Sequence, residues 1–222
     1  MLLGRCTGVW LAAAFASSCL AAPPIRSAAN AFSDNPFIAV GVNPATHVVT
    51  GYVSALLTAP GKTDACKFVL RGLVAPDGTA RLSIRDAAAG DSSGPPQPAK
   101  AVAVMTAASG RIGIDLPKPL APGDCDWVLE AVGGPHIGTT ADGFRLTVDA
   151  AVERAWIGVV VVGNKRAFFH DAPDDASGRK AFLVSGDVAY VMEERPGWYR
   201  VRFTHAARET AGWIKASDTV GF

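Results

Sequence analysis

Charged residues of either sign are scarce in this sequence. Asp, Glu, Lys and Arg make up 18% of the 222 residues, and 21 basic residues stand against 20 acidic ones, a formal net charge of +1. This balance argues against a nucleic-acid-binding protein, which would show a basic excess. With 49% hydrophobic residues, the chain is also too apolar to be mainly disordered. Its length suits one large domain or two small ones.

The motifs of common catalytic and metal sites are missing as well. None of the four histidines lies three or four residues from another, and no H-E-x-x-H, P-loop, dinucleotide fingerprint or EF-hand loop is present. One G-x-S-x-G match, at 90–94, lies in a polar loop followed by prolines that prevent a helix behind the serine, so we interpret it as chance. We therefore expect no catalytic residues, no metal, no cofactor and no enzymatic activity. The alternative is a hydrolase assembled from scattered residues such as His136 or His170.

The N-terminal segment, residues 1–22, has the three parts of a secretory signal peptide. Arg5 precedes an apolar stretch at 9–15, and small residues follow up to the expected cleavage point. That stretch is shorter than the roughly 20 residues that span a bilayer, and no other segment approaches this length. We expect a bacterial protein that is periplasmic or secreted and is not inserted in the membrane after cleavage. An uncleaved anchor and a lipid attached to Cys19 are the alternatives.

Cysteine is scarce in the part of the chain that would remain after cleavage. Two of the four cysteines lie in the signal segment, which leaves Cys66 and Cys125. An exported chain meets an oxidising environment, where two thiols are expected to join. Neither cysteine has a neighbouring histidine or a C-x-x-C spacing that would indicate a metal or redox site. The sequence therefore predicts one disulfide, closing a loop that contributes about 4 kcal/mol on the chain-entropy model.

The segment after the signal shows a pattern of short strands and frequent turns. Residues 23–36 predict an extended lead-in, and residues 37–150 an all-β domain of the sandwich or barrel type. No long amphipathic helix is found. The loop at 87–98 is rich in small residues and proline and is expected to be exposed. Seven strands are predicted in this domain, at 47–53, 66–74, 80–84, 101–105, 111–116, 126–131 and 144–148.

The pattern changes near residue 152, and a second all-β domain is predicted over 152–222. Its expected strands lie at 157–162, 167–170, 180–184, 188–193, 198–204 and 212–215. Within it stand KRAFF at 165–169, DAPD at 171–174, KAFLV at 180–184, GD at 186–187, GWYRV at 197–201 and GWIK at 212–215. In this order the pieces resemble the bacterial Src homology 3 (SH3)-like domain of many exported proteins. The polar hairpin at 204–210 is longer than in many relatives.

The resemblance implies a small β-barrel of five or six strands with a non-catalytic role, similar to the wall-targeting modules of peptidoglycan hydrolases. Alternation within strands predicts that Phe168 and Phe169 face opposite sides, so that one is exposed, and that Tyr190 faces outward. Two arginines are also expected outward, whereas two tryptophans are favoured as core residues. Together these side chains form the candidate ligand-binding surface, which consists of Phe168, Tyr190, Trp198, Arg200, Arg202 and Trp213.

Three functions are compatible with these features. The first is an exported binding protein whose SH3-like domain contacts peptidoglycan or a cell-envelope protein. The second is a periplasmic inhibitor or immunity protein that blocks a toxin or a hydrolase, with the disulfide-bonded first domain as the blocking surface. The third is the scattered-residue hydrolase. The absence of catalytic motifs favours the first two.

Overall fold

Two antiparallel β-sheets make up almost all of the described structure. The computed structural model describes residues 25–31, 33–87, 102–120, 125–149, 155–206 and 208–220. Within these ranges the chain forms fifteen strands and one α-helix, in a nine-stranded sheet, here called the large sheet, and a six-stranded sheet, here called the small sheet. The all-β prediction is therefore confirmed. The serine motif at 90–94 lies outside the described residues.

The large sheet is one continuous curled sheet. Its strands follow chain order except that β9 lies between β7 and β8, and β1 approaches β9 across the curl. This arrangement is a curled single layer around one core, without the two facing sheets that a sandwich requires. The strands are Ala28–Ala29 (β1), Phe37–Val42 (β2), Val48–Ala59 (β3), Lys62–Val74 (β4), Ala80–Asp86 (β5), Val102–Ala108 (β6), Arg111–Pro117 (β7), Ile137–Thr140 (β8) and Gly143–Asp149 (β9).

Period-two alternation explains why these segments form strands. In β7 the side chains of Ile112, Ile114 and Leu116 enter the core, and the residues between them face outward. The predicted turn after β4 is confirmed, because the Asp77 carboxylate accepts a hydrogen bond from the Thr79 amide at 2.9 Å and Gly78 adopts a positive φ of 79°. In this sheet, apolar alternation therefore determines where the strands run, and turn residues determine where they end.

The segment predicted as a strand at 126–131 is a helix, so that prediction is wrong. Helix α1 spans Cys125–Val132 and buries Cys125, Val128 and Leu129, which are spaced three and four residues apart. The predicted disulfide is confirmed: Cys125 at the start of α1 is bonded to Cys66 in β4, with 4.8 Å between the Cα atoms. It secures the helix against β3 and β4.

The predicted lead-in is extended, but it is an integral part of the large sheet. Ala28 and Ala29 pair with Val40 and Ala39 of β2, and Ile25 is buried in the core. Pairing with β2 and burial in the core give this segment a packing role that its composition did not indicate.

The small sheet encloses its own core. Its order is β10-β13-β14-β15-β11-β12, with strands Gly158–Val161 (β10), Arg166–His170 (β11), Gly178–Val184 (β12), Val188–Arg195 (β13), Trp198–His205 (β14) and Arg208–Lys215 (β15). Short 3-10 turns occur at Asp175–Ser177 and Ala216–Asp218. The buried core residues are Val162, Ala167, Phe169, Leu183, Ala189, Val191, Val201 and Ile214.

The two sheets are joined by a buried junction. Ala39, Tyr52 and Val69, on the outer face of the large sheet, pack with Trp156, two residues before β10, and with Val159 of β10. Strands β2, β3 and β4 are therefore buried on both faces, because their alternate residues fill the core of the large sheet.

Polar contacts and close backbone approach complete this junction. The indole N–H of Trp156 donates to the carbonyl of Val40 at 3.0 Å, and the amide of Val159 donates to Oγ1 of Thr50 at 2.7 Å. A Cβ added to Gly41 would lie 2.2 Å from the Cα of Gly158, so only glycine permits β2 and β10 to come this close.

Candidate functional site

Cross-strand register gathers several of the predicted surface residues on the outer face of the small sheet. His170 lies opposite Trp213, and Trp213 lies opposite Arg200. In the next row Lys215 lies opposite Trp198. Directly opposed residues of antiparallel strands point to the same side, so these five side chains form one surface, here called the basic aromatic face.

The two tryptophans differ in exposure within this face. Trp213 is 8% exposed, because its ring is covered on the outside of the sheet, and Arg195 lies over it with 5.8 Å between the guanidinium carbon and the ring centroid. Trp198 is half-buried, and Lys215 lies over its ring at 5.8 Å. Trp213 is therefore buried, as expected, whereas Trp198 is only half-buried. Neither ring lies in the core cluster of the small sheet, because the alternate positions on the same strands, such as Ile214, fill it.

The imidazole ring of His170 packs against the Trp198 ring. It is 7% exposed and meets Trp198 edge to face, with ring centroids 4.8 Å apart. Its Nδ1 atom is buried and has no hydrogen-bond partner among the described residues. A buried imidazole in this place limits the orientations that the indole can adopt.

Each cation of this face already has an acidic partner. Lys215 Nζ lies 2.6 Å from Asp175, and Glu193 contacts both Arg195 and Arg200, at 2.7 Å and 3.8 Å. The hydrogen bond and the charge of Lys215 hold the pKa of the Asp175 carboxyl below its usual range. A ligand carboxylate would have to exchange with these exposed pairs, whose net stabilisation is small.

The other predicted surface residues lie elsewhere on the small sheet. Tyr190 stacks on Trp156 with centroids 4.2 Å apart, so the ring that was expected to be exposed is half-buried at the junction. Arg202 lies opposite Tyr190 and pairs with Glu209 at 3.6 Å, beside the basic aromatic face. Phe168 is 41% exposed near the β12 edge, and its neighbour Phe169 is buried, which confirms that one of the two rings is exposed.

His170, Lys215 and Asp175 belong to this site but were not predicted as members. The signal for Lys215 was present, because alternation in GWIK places residues 213 and 215 on one face. No comparable local signal existed for Asp175. It reaches Lys215 from a 3-10 turn forty residues earlier in the chain.

A cavity of about 330 Å³ opens beside the turn between β13 and β14. Its lining residues are Glu194, Arg195, Pro196, Gly197, Tyr199 and Ala216, so Arg195 belongs both to this cavity and to the cover of Trp213. Burial raises the pKa of the Tyr199 hydroxyl, and the nearby Glu194 carboxylate raises it further. The amide of Asn43, in the connection between β2 and β3 of the large sheet, contacts Glu194 at 3.5 Å, so the cavity borders the junction between the sheets.

The described residues locate both histidines of the hydrolase hypothesis and show whether a metal-binding cluster is present among them. Within them no group of three or more His, Cys, Asp or Glu side chains is placed to hold a metal ion. His136 lies before β8 in the large sheet, bonded to the Thr147 carbonyl at 3.0 Å, whereas His170 ends β11 in the small sheet. The two histidines of the hydrolase hypothesis are thus in different sheets.

The disulfide is consistent with an oxidising, exported location. The single helix of the described ranges, α1, is too short to cross a membrane, and no other described segment forms a longer one. No protein-family profile, no curated protein and no solved structure matches this chain.

Proposed function

We propose that this chain is an exported, non-enzymatic binding protein. In this proposal the small sheet is an SH3-like barrel that contacts peptidoglycan or a cell-envelope protein through the basic aromatic face. The observation that carries the proposal is the register that places Trp198, Trp213, Arg200 and Lys215 on one outward surface. The number and antiparallel order of the short strands around a single core support the SH3-like assignment.

The chemistry of this surface suits a glycan or a peptide that carries carboxylates. An indole ring offers a flat apolar area for a sugar face or a peptide side chain, and Trp and Arg are the residues that most often dominate binding interfaces. The guanidinium of Arg200 and the ammonium of Lys215 can pair with carboxylates. Peptidoglycan presents both kinds of group, sugar rings and peptide carboxylates.

Co-sedimentation with purified, insoluble peptidoglycan tests this function. We expect the mature protein to pellet with the wall material at low salt and to be released as salt rises, because exposed charge pairs are screened. Trp198→Ala combined with Arg200→Ala should weaken binding at least about ten-fold, with an unchanged circular dichroism spectrum. If the unaltered protein stays in the supernatant at low salt, wall binding is wrong.

The inhibitor or immunity role is the second candidate, and one observation favours it. Trp127 is 53% exposed on helix α1, which the disulfide holds rigidly against the large sheet. A rigidly held, exposed tryptophan is a frequent anchor of protein interfaces. A stoichiometric protein partner captured from envelope extract should be lost with Trp127→Ala and retained with Trp198→Ala. The opposite dependence contradicts this second role and supports binding of an envelope protein by the basic aromatic face.

A further inference from the structure

Strand β12 forms an open edge of the small sheet. It pairs with β11, and no other described strand pairs with it. The amide of Val184 donates to the Asp187 carboxylate at 2.8 Å, and its carbonyl accepts from the Asp187 amide at 3.0 Å, so both groups point away from β11. Because backbone groups two residues apart in a strand point the same way, the N–H and C=O of Phe182 also face the open edge.

Apolar side chains accompany this open edge on the outer face of the sheet. Phe168, Phe182 and Val184 are 41%, 40% and 46% exposed. Phe168 lies directly opposite Phe182, and the two rings meet edge to face with centroids 5.6 Å apart. Aromatic residues, Phe included, are enriched in protein interfaces. An apolar strand edge without a partner is an aggregation hazard.

Unpaired cations surround the same patch. Lys165, Arg166 and Lys180 are exposed and make no ion pair with any residue of the described ranges, and Arg166 lies over the Phe182 ring at 4.6 Å. The cations of the basic aromatic face, in contrast, are all bonded to carboxylates, as Lys215 is to Asp175. The difference leaves three exposed cations near the β12 edge without a carboxylate partner among the described residues.

We infer that the β12 edge binds an extended segment of a partner protein, in which acidic and apolar side chains lie on one face. The segment adds a strand to β12 through the backbone groups of Phe182, while its apolar side chains cover the Phe168–Phe182 pair and its carboxylates meet Lys165, Arg166 and Lys180. A second copy of this chain does not fit, because edge-to-edge pairing would bring the same cations together. This inference concerns a different surface from the basic aromatic face and stands without the proposed function.

The probe is an acetylated, amidated peptide, Glu-Thr-Phe-Thr-Val-Thr-Glu, whose acidic and apolar side chains share one face of a strand. Isothermal titration with the mature protein should show binding that weakens as salt rises. The control peptide, with both Glu residues replaced by Lys, should bind at least about ten-fold more weakly, since like charges meet at the edge. Equal binding of the two peptides, or no binding of the acidic peptide at low salt, overturns the inference.

Variants locate the binding surface. Phe182→Ser should weaken binding of the acidic peptide at least about ten-fold, and Lys180→Glu should weaken it and reduce its salt dependence. Val102→Ser is the matched control, because Val102 is an apolar strand residue of similar exposure, 45%, on the large sheet. An unchanged affinity in Phe182→Ser, confirmed as folded by circular dichroism, contradicts the assignment.

Two N-methylated forms of the acidic peptide test strand addition itself. One form is methylated at Phe and Val, and the other at the two Thr residues that flank Val. In an added strand only alternate amides face β12, so one form should lose binding and the other should retain it. Equal loss or equal retention in both forms rules out the strand-addition mode.

Discussion

The large and small sheets place their largest aromatic rings on opposite sides. In the large sheet Phe68 and Phe144 point into the core and are almost wholly buried. In the small sheet Phe169 is the only ring of the described core, whereas Trp198 and Trp213 lie on the outer face. Rings that point inward contribute to stability through burial, whereas a half-buried ring on the outer face, such as Trp198, adds area that a partner can contact.

The sheets also differ in how much of their outer surface is available. Strands β2 to β4 of the large sheet are covered by the small sheet at the junction, while β11, β14 and β15 of the small sheet display their outer face. The large sheet therefore supports the small sheet, and the exposed outer face of the small sheet carries the side chains that a partner can reach. Four changes test this division, in order of expected effect.

Loss of the Trp156 side chain should lower the free energy of unfolding the most, because Trp156 lies at the junction between the large sheet and the small sheet. Trp156→Ala removes a buried ring and leaves the Val40 carbonyl without this hydrogen bond, so we expect a loss of about 5 kcal/mol in the free energy of unfolding. Urea denaturation followed by circular dichroism measures it. Trp127→Ala, at a 53% exposed position, is the control and should cost under about 0.5 kcal/mol. Similar small losses of stability in both variants would show that the junction between the sheets contributes little to the stability of the fold.

Removal of the disulfide should have the next largest effect, and it should act on the large sheet alone. Cys66→Ala with Cys125→Ala opens a loop with a sequence separation of 59, which predicts a loss of about 4 kcal/mol. Hydrogen exchange should show faster opening of β4 and α1, with the core amides of β14 less affected. Uniform acceleration across both sheets would contradict a local role for this bond.

A side chain at the closest approach of the sheets should cost less. In Gly41→Ala the new Cβ meets the backbone of Gly158, so the strands must separate at a cost of about 1–3 kcal/mol. The matched control is Gly138→Ala, where the nearest atom to the new Cβ is 3.7 Å away. Thermal unfolding of both variants checks this, and equal melting temperatures would refute the close contact.

Acid should produce the smallest effect, through the exposed Asp175–Lys215 pair of the basic aromatic face. The pKa of Asp175 is lowered in the folded protein by the hydrogen bond and charge of Lys215. The pair therefore stabilises the fold above the ordinary carboxyl pKa, and this contribution is lost as pH falls through the lowered value. An NMR titration of the Asp175 carboxyl carbon measures the shift. Lys215→Met should return the pKa toward its usual range, and an unchanged titration would exclude this pair.

Local pattern predicted much of the fold, and its failures have identifiable causes. Alternation in β7 and the turn at Asp77-Gly78 were sufficient to place strands, because both signals act between near neighbours. The segment at 126–131 was mistaken for a strand because a short apolar run fits either period. Its buried positions, Cys125, Val128 and Leu129, follow helical spacing, a signal that the strand interpretation overlooked.

The candidate site was predicted in part. Trp198, Trp213 and Arg200 were named and do share one face. Tyr190 was assigned to the same surface because alternation places it outward, and it does point away from the core of the small sheet. Outward at that position means toward Trp156 and the junction with the large sheet. Strand alternation gives the side of a residue, but it does not show what lies on that side.

The sequence by itself determined the all-β class, the pairing of Cys66 with Cys125 and the alternation of each strand, since these depend on residue type and on short-range spacing. Only the tertiary structure decided which aromatics meet. The opposition of His170, Trp213 and Arg200 depends on the register of the β14–β15 hairpin and on the pairing of β15 with β11, which lies far away in the chain. A shift of the register by one residue would turn each of these side chains to the other face of the sheet. The register is fixed because the residues on the opposite face must be buried in the core.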